Sequence, residues 1–370
     1  MTPTPFRTLG RSGLVVSPFA LGTMTFGAKR WGSGEASSRA VFDAYVEAGG
    51  NVIDTADVYS AGRSEEMVGN FIHDHQARHR LVLATKAGFA RETGYPHAGG
   101  NGAKNITTAL EGSLRRLRTD CVDLFWLHVW DMVTPAEEVL QTLTTLVRAG
   151  KIRHYGISNA PAWYIAKLAT LASAHALPAP IALQFEYSLV ERGIEAEHVD
   201  AAREFGLGTL GWSPLGGGML TGKYRRADVE GRAPTERGLP SAAARPGEEA
   251  GDGHGRLGGA NPFGDSKFTP HNWAVLDVLT AVAGELNQSP AAVALAWSLA
   301  RPGITGLVMG ASRVEQLRDN LAALEITLSP EQRARLDAVS APAPGYPASI
   351  AVPAVNRMVF GGHAVAGWRG

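Results

Sequence analysis

Cys121-Val122-Asp123-Leu124-Phe125-Trp126-Leu127-His128 is a strand-length apolar run that ends on a polar residue, and a segment of helical period follows it from Pro135 to Ala149. Ile152-Arg153-His154-Tyr155-Gly156-Ile157-Ser158 then repeats the strand pattern and again ends polar. Strand, helix and strand in that order form a βαβ unit, whose strands pair in parallel through a right-handed crossover. Pro135 sits where a first helical turn has no use for its missing N–H, and Pro161 does the same for the next helix.

The same alternation extends both ways from this unit. Strand-like runs precede it at Phe19–Gly22, Val52–Ala56 and Leu81–Lys86, and follow it at Ile181–Tyr187, Leu207–Ser213 and Gly303–Gly310. Segments of helical period lie between them, at Ala36–Ala48, Ser64–Phe71, Ile106–Arg118, Trp163–Ala174 and Val199–Phe205. A doubly wound sheet also alternates but usually stops near five or six strands. Eight strands in 370 residues predict an α/β fold of the closed (β/α)8 TIM-barrel type. Ahead of the barrel, Phe6–Leu9 and Leu14–Val16 flank a glycine-bounded turn and predict a β-hairpin.

Two segments break the rhythm. From Arg225 to Phe268, after the seventh barrel strand, no hydrophobic period survives, and Gly231–Gly264 holds nine glycines and four prolines. This long Gly/Pro-rich loop is either a surface excursion or a lid over the barrel mouth. Residues 341–370, with Pro342, Pro344 and Pro347, read as an extended C-terminal tail. Met358, Val359, Phe360 and Trp368 make it apolar enough to pack on the barrel or on a second subunit. The expected organisation is therefore a single barrel domain over residues 1–340 carrying the 225–268 insertion, followed by the tail.

Composition bounds the function. Thirty-five basic residues balance thirty-five acidic ones, so no long-range field holds a polyanion, and neither nucleic acid nor an acidic membrane is an expected partner. A single cysteine, Cys121, excludes an internal disulfide and a cysteine-rich metal site. No run reaches the ~20 apolar residues of a spanning helix, nor does the N-terminus resemble a signal peptide, so a cytoplasmic location is expected. His73, His75 and His79 lack acidic or cysteine companions and are read as solvated, leaving no metal site. Whether the chain is a monomer or a homo-oligomer is left open.

Chemistry in such a barrel gathers at the carboxyl ends of its strands. There the chain places Asp54 and Tyr59, Lys86, His128, Ser158-Asn159, Gln184, Trp212-Ser213 and Ser312-Arg313. A phenol of pKa ~10 is a poor acid at neutral pH unless a cation stabilises its phenolate. Lys86 supplies that cation and Asp54 holds it, while His128 orients a carbonyl or shares the proton. Asn159 and Gln184 suit a carboxamide, and Trp212 offers a flat face to a ring. Ser213-Pro214-Leu215 with Gly216-Gly217-Gly218 offers N–H groups for pyrophosphate, with Lys223 near in sequence. Ser312 and Arg313 open a helix, a setting that favours a phosphate dianion.

With these residues in place, the chain resembles the aldo-keto reductase family. Gly49-Gly50-Asn51-Val52-Ile53-Asp54-Thr55-Ala56-Asp57-Val58-Tyr59 is similar to that family's signature around its catalytic Asp and Tyr. Ala84-Thr85-Lys86 resembles its lysine motif, Asp123–His128 its histidine motif, and Gly156–Asn159 with Gln184–Tyr187 its nicotinamide strands. Gly310-Ala311-Ser312-Arg313, continuing through Gln316 and Leu317 to Asp319-Asn320, is similar to its adenosine-phosphate motif. The resemblance runs from about Leu9 to Leu336. It implies NADPH as cofactor, with Gly22, Thr23 and Met24 after the first barrel strand joining its binding site, and a small-molecule carbonyl as substrate. Phe26, Trp31, Phe89 and Trp130, beside Tyr59 and His128, are the candidates for an apolar substrate pocket. The narrower alternative is a keto-sugar nucleotide reductase. Trp212–Tyr224 and Ser312–Asn320 also resemble potassium-channel β-subunits, which bind NADPH on this fold in a regulatory role.

Gly206-Leu207-Gly208-Thr209-Leu210-Gly211 spells GxGxxG, yet a helix precedes it and a strand follows, the reverse of a dinucleotide fingerprint. Gly206 is read instead as a helix C′ residue.

Overall fold

Strands that are apolar on both faces need cover on both, which helices give either to the two sides of an open sheet or to the outside of a sheet that closes on itself. A computed structural model, which describes residues 5–29, 32–226, 257, 267–343 and 345–365, shows this arrangement. Strands β3 (Phe19–Gly22), β4 (Val52–Asp54), β5 (Val82–Ala87), β6 (Val122–Leu127), β7 (Ile152–Ser158), β8 (Ala182–Glu186), β9 (Gly208–Trp212) and β10 (Gly306–Met309) form a closed barrel in chain order, with β10 pairing back onto β3. Every pairing in it is parallel. The predicted hairpin is present as β1 (Arg7–Thr8) and β2 (Val15–Val16), paired antiparallel.

The helices are α1 (Glu35–Glu47), α2 (Arg63–Asp74), α3 (Ala103–Leu117), α4 (Ala136–Arg148), α5 (Ala162–Ala174) and α6 (His198–Phe205). After β9 come α7 (Pro270–Leu286) and α8 (Pro290–Leu299). Helices α9 (Val314–Leu321), α10 (Pro330–Val339) and α11 (Pro353–Val359) follow β10. Helix α4 shows why they cover the sheet: Val139, Leu140, Leu143 and Leu146 fall on one face and are buried, each burial being worth about 1.5–3 kcal/mol. Thr269, Ser289 and Ser329 accept hydrogen bonds from the backbone N–H three residues on and so cap α7, α8 and α10.

The period-two alternation of the strands sorts their side chains into an outer layer facing helices and an inner layer filling the barrel. Val52, Val82, Ala84, Leu124, Trp126, Ala182, Leu210 and Val308 make the inner layer, with Leu9 and Val16 of the hairpin segment packing into it from below. Gly156 makes room for the largest of these: a Cβ there would stand 2.3 Å from the Trp126 ring. The inner layer seals the lower barrel. Two residues further along β4, β5 and β8 the same inward direction belongs to Asp54, Lys86 and Gln184.

The 225–268 insertion lies mostly outside the described residues. Of its middle only Leu257 is placed, buried against Gly217, with its N–H donated to the Tyr224 hydroxyl (2.9 Å). Of the tail's apolar residues, Met358, Val359 and Phe360 on and after α11 are 78%, 69% and 47% exposed in the single chain, so of the two expected sites the barrel does not cover them.

Candidate functional site

Register brings the polar strand ends together. Gly22 lies beside Asp54 across β3 and β4, and Ser158 beside Gln184 across β7 and β8. The Lys86 ammonium bonds Asp54 Oδ1, the Thr55 carbonyl (2.9 Å) and the Tyr59 hydroxyl (3.3 Å). Gln184 Nε2 donates to the other Asp54 oxygen (2.9 Å), so both carboxylate oxygens are engaged. Asp54 and Lys86 are each 1% exposed. Burial works against the lysine charge, but Asp54 and then Tyr59 outweigh it and hold the ammonium above its ordinary range. Lys86 is thus a cation at any physiological pH.

Tyr59 is carried by a tight turn rather than a strand. Ser60 and Ala61 adopt left-handed φ values of 51° and 55°, and the Ser60 hydroxyl donates to the Phe26 carbonyl (2.9 Å). The Tyr59 ring meets His128 edge-on at 5.8 Å, and Phe89 also meets the imidazole edge-on, at 4.8 Å. Burial first, and then the Lys86 charge, keep His128 well below the ordinary histidine range, so its ring is neutral near pH 7. A neutral imidazole can donate one N–H to a carbonyl oxygen but is not a strong acid.

These residues open onto a cleft of about 800 Å³. Gly22 and Met24 line it at the end of β3, and Ser158, Asn159 and Gln184 at the ends of β7 and β8. Asn159 Nδ2 is committed to the His128 carbonyl (2.8 Å) and the Ser158 hydroxyl (3.0 Å), which leaves its carbonyl oxygen for a further donor. Trp212 Nε1 is buried in the same cleft without a hydrogen-bond partner among the described residues. Further along, Ser213, Pro214, Leu215, Gly217 and Lys223 form one rim, and Gly310, Ser312, Gln316, Asp319 and Asn320 the other. Gly218 needs to be glycine: its φ is 94°, and a Cβ would strike the Lys223 side chain at 2.8 Å.

The structure does not bring every predicted residue to the cleft lining. The N–H groups of Gly216, Gly217 and Gly218 do not face outward as a phosphate cradle; they close turns on Ser213 O, Ser213 Oγ and Leu215 O. Thr23 is buried below the cleft, bonded to Ser64 and to the Asp54 carbonyl. Arg313 is the exposed N-cap residue of α9 and does not line the cleft. Phe26 is fully buried against Phe71 and is core. Trp130 packs with Trp163 and Tyr164 away from the cleft. Of the four substrate-pocket aromatics, Phe89 alone lines it among the described residues, and Trp31 lies outside them.

The sequence also missed part of the rim. Lys267 is 8% exposed and pairs with Glu186 (2.7 Å) and Glu191 (3.8 Å) in the cleft wall. It stands in a stretch with no hydrophobic period, so nothing local marked it. His75 pairs with Asp43 (2.8 Å), and no metal-holding cluster of three His, Cys, Asp or Glu side chains occurs among the described residues. No helix among them is long and apolar enough to cross a membrane.

A family model described as the aldo/keto reductase family matches residues 18–341. The chain is 34% identical to the oxidoreductase YrpG of Bacillus subtilis, covering 87% of this chain and 92% of that one. It is 33% identical to a norsolorinic acid reductase of Emericella nidulans, over 87% of this chain and 77% of that one. It is equally 33% identical to a protein named as a voltage-gated potassium channel subunit beta in Schizosaccharomyces pombe, over 90% and 93% of the two chains.

Proposed function

The chain belongs to the aldo/keto reductase family and is an oxidoreductase, and on that footing we propose that it reduces an aldehyde or ketone to an alcohol with NADPH, with Tyr59 as the acid. The observation that carries the reading is the buried Asp54–Lys86–Tyr59 chain opening onto the cleft floor. A carbonyl gains electrons easily only if its oxygen is hydrogen-bonded or protonated as charge develops there. The Tyr59 hydroxyl donates that proton, and the ammonium 3.3 Å away stabilises the phenolate left behind. Asp54 keeps Lys86 charged and aimed at the phenol. His128, being neutral, donates a hydrogen bond to the same oxygen and fixes which face of the carbonyl is presented.

Bound NADPH supplies the hydride, and the cleft has features that suit it. The amide oxygens of Asn159 and Gln184 are the ones left to accept from a carboxamide, because both nitrogens are committed within the protein. The floor beside Asp54 is clear because Gly22 has no side chain; a Cβ there would press on Val308 at 2.8 Å. Lys223 stands at the rim where the phosphates would pass, and Ser312 and Gln316 at the adenosine end. The partner is then a small carbonyl compound, in keeping with the neutral charge balance, and the setting is the cytoplasm.

The similarity to a potassium-channel subunit favours a second reading, in which the bound nucleotide regulates a partner. Steady-state NADPH oxidation with a panel of aliphatic and aromatic aldehydes separates the two. Many turnovers per protein are expected. A single slow loss of bound NADPH, with no sustained rate, would give the regulatory reading precedence.

A further inference from the structure

Asp57 lies three residues beyond Asp54, and its N–H donates to the carbonyl of Lys86 (3.1 Å), so its backbone is tied to β5 at the catalytic lysine. Its side chain is completely buried, and neither carboxylate oxygen reaches a hydrogen-bond partner among the described residues. Such a group is costly to bury unless a counter-ion faces it. Two cations face it, Arg116 of α3 and Arg91 of the loop after β5, together with the like-charged Glu65 of α2. Arg116 is already held by Glu65 (2.7 Å), which also accepts from the Thr85 hydroxyl. The cation left for Asp57 is Arg91, whose Nε stands 3.4 Å from Oδ2.

Arg91 is two residues from Phe89, the aromatic side chain that lines the cleft edge-on to His128. The loop that carries both is closed at its base, where Gly100 N–H donates to Gly88 (2.8 Å) and Asn101 Nδ2 to Val129 (2.7 Å). Its outer arm from Phe89 to His97 is exposed. Within that arm Arg91 also reaches Asn105 of α3 (3.4 Å) and Tyr95 meets the Lys104 ammonium (5.8 Å), but the Asp57–Arg91 pair is the tie that anchors the loop to the turn that presents Tyr59.

Resting on the carbonyl-reductase reading above, we infer that Asp57 and Arg91 clamp the loop after β5 so that Phe89 covers the carbonyl beside His128, making Asp57 a positioning residue for flat, apolar carbonyl substrates. The contact is on the substrate side of the cleft, so the clamp acts on KM and leaves the proton donor and the nucleotide alone. Burial first, then Glu65, raise the Asp57 carboxyl to about 7 against the opposing pull of Arg91 and Arg116. The clamp is therefore charged above neutrality and slack below it, and KM for an aromatic aldehyde falls as pH rises through that range.

Asp57→Asn keeps the shape and removes the charge. With 4-nitrobenzaldehyde at about pH 8, its KM should rise about fivefold or more while kcat stays within about twofold and NADPH affinity is unchanged, a loss of uniform substrate binding. The wild-type fall of KM with pH should vanish in the variant. Arg91→Met should match it and Arg91→Lys should restore part of the effect. Phe89→Ala should raise KM similarly, and adding Asp57→Asn to it should cost nothing further. Additive losses, or a fall in kcat with KM unmoved, would overturn the clamp. Hydrogen exchange of residues 88–100 reads it without turnover: faster exchange is expected in Asp57→Asn and Arg91→Met above neutral pH. Unchanged exchange there, in variants shown by circular dichroism to be folded, refutes the clamp even if the enzyme proves active. Absence of wild-type turnover with faster exchange in the variants refutes the reductase reading alone.

Discussion

The two ends of the cleft are built in different ways. At the substrate end, Asp54, Lys86 and Gln184 project inward from β4, β5 and β8, each 1–2% exposed and each bonded to at least one of the others. At the end proposed for the nucleotide, Ser213, Gly217 and Gly218 sit on left-handed backbone with φ of 53°, 67° and 94°, and Ser312 and Arg313 lie at a helix start. A strand fixes a side chain's direction through its neighbours on both sides, whereas a loop must fix it through its own turns. On the proposed function, the floor is where one atom would decide the rate, and the rim would spread its binding over several weaker contacts.

The sharpest way to break this contrast is at the phenol. Tyr59→Phe keeps the ring against His128 and removes the proton, so turnover should fall on the order of 10²-fold or more, as for loss of a general acid. NADPH affinity, measured by fluorescence titration, should hold nearly constant. Lys86→Met should lower turnover to a similar degree, and the double variant should lose far less than the product of the two, since one proton-transfer unit is disabled either way. If Tyr59→Phe retains normal turnover while His128→Ala does not, the acid is the histidine. That outcome would conflict with the neutral ring that its burial and the Lys86 charge impose.

A second test asks whether the floor carries its polar groups at a cost in stability. Asp57 has a folded-state value of about 7 against an ordinary value of 3.8, so the folded protein binds the proton more tightly than the unfolded chain. The stability that this proton confers is complete below about pH 4 and is lost as pH rises toward about 7. Asp57→Asn should therefore raise the melting temperature at about pH 8, by an amount equivalent to about 1–3 kcal/mol, and do little at about pH 4. Equal shifts at both pH values would mean that the carboxyl's charge is not what the site resists. The same substitution is expected to slacken the Phe89 loop, so stability and substrate affinity should move in opposite directions.

The floor was also the part most legible from sequence. Period-two strands with a polar last residue locate Asp54, Lys86, His128 and Gln184, because a pleated strand leaves that residue only two directions to point. Strand limits were read to within a residue or two, as at Phe19–Gly22 and Ile152–Ser158, which match β3 and β7. Gly303–Gly310 overshot β10 by three residues at its start, where Arg301–Ile304 turns before pairing begins. Helices α7 and α8 are weakly marked in the sequence: α8 is buried along almost its whole length, and the exposed face of α7 mixes Ala274, Ala281 and Gly284 with Asp277 and Glu285, so little polar contrast marks a helical period. The rim was harder still. The glycine run suggests N–H groups free for pyrophosphate, but those groups are consumed inside a turn, a fact set by φ and ψ rather than by composition. Phe26 and Trp130 followed the right strands yet point into neighbouring packing, which depends on Phe71 and Trp163 far away in the chain. Lys267 gains its place from Glu186, on another strand's end, and no local pattern encodes that meeting.

The smallest effect belongs to the rim and tests how it reads the nucleotide. Arg313 is the N-cap of α9, with extended backbone at φ −146° and ψ 152°, and its guanidinium is outside the cleft lining. Ser312, one residue earlier, does line the cleft, with its N–H and hydroxyl both directed to Gln316 Oε1 at 3.0 Å. A phosphate arriving at this corner would meet the start of a helix, the serine hydroxyl and an arginine free to swing in from solvent. A long side chain recruited from water gives up rotamer freedom and works against salt screening, so its contribution is modest. Arg313→Ala should weaken NADPH about three- to tenfold, which is about 0.7–1.4 kcal/mol, and leave NADH unchanged, because a ribose hydroxyl offers the guanidinium no charge. The loss should shrink as salt is raised from about 0.05 M to about 0.5 M, where screening shortens the reach of an exposed cation. Equal weakening of NADPH and NADH would place the arginine on a phosphate that both nucleotides carry. A loss that ignores salt would mean that it is buried on binding and belongs with the rigid floor after all.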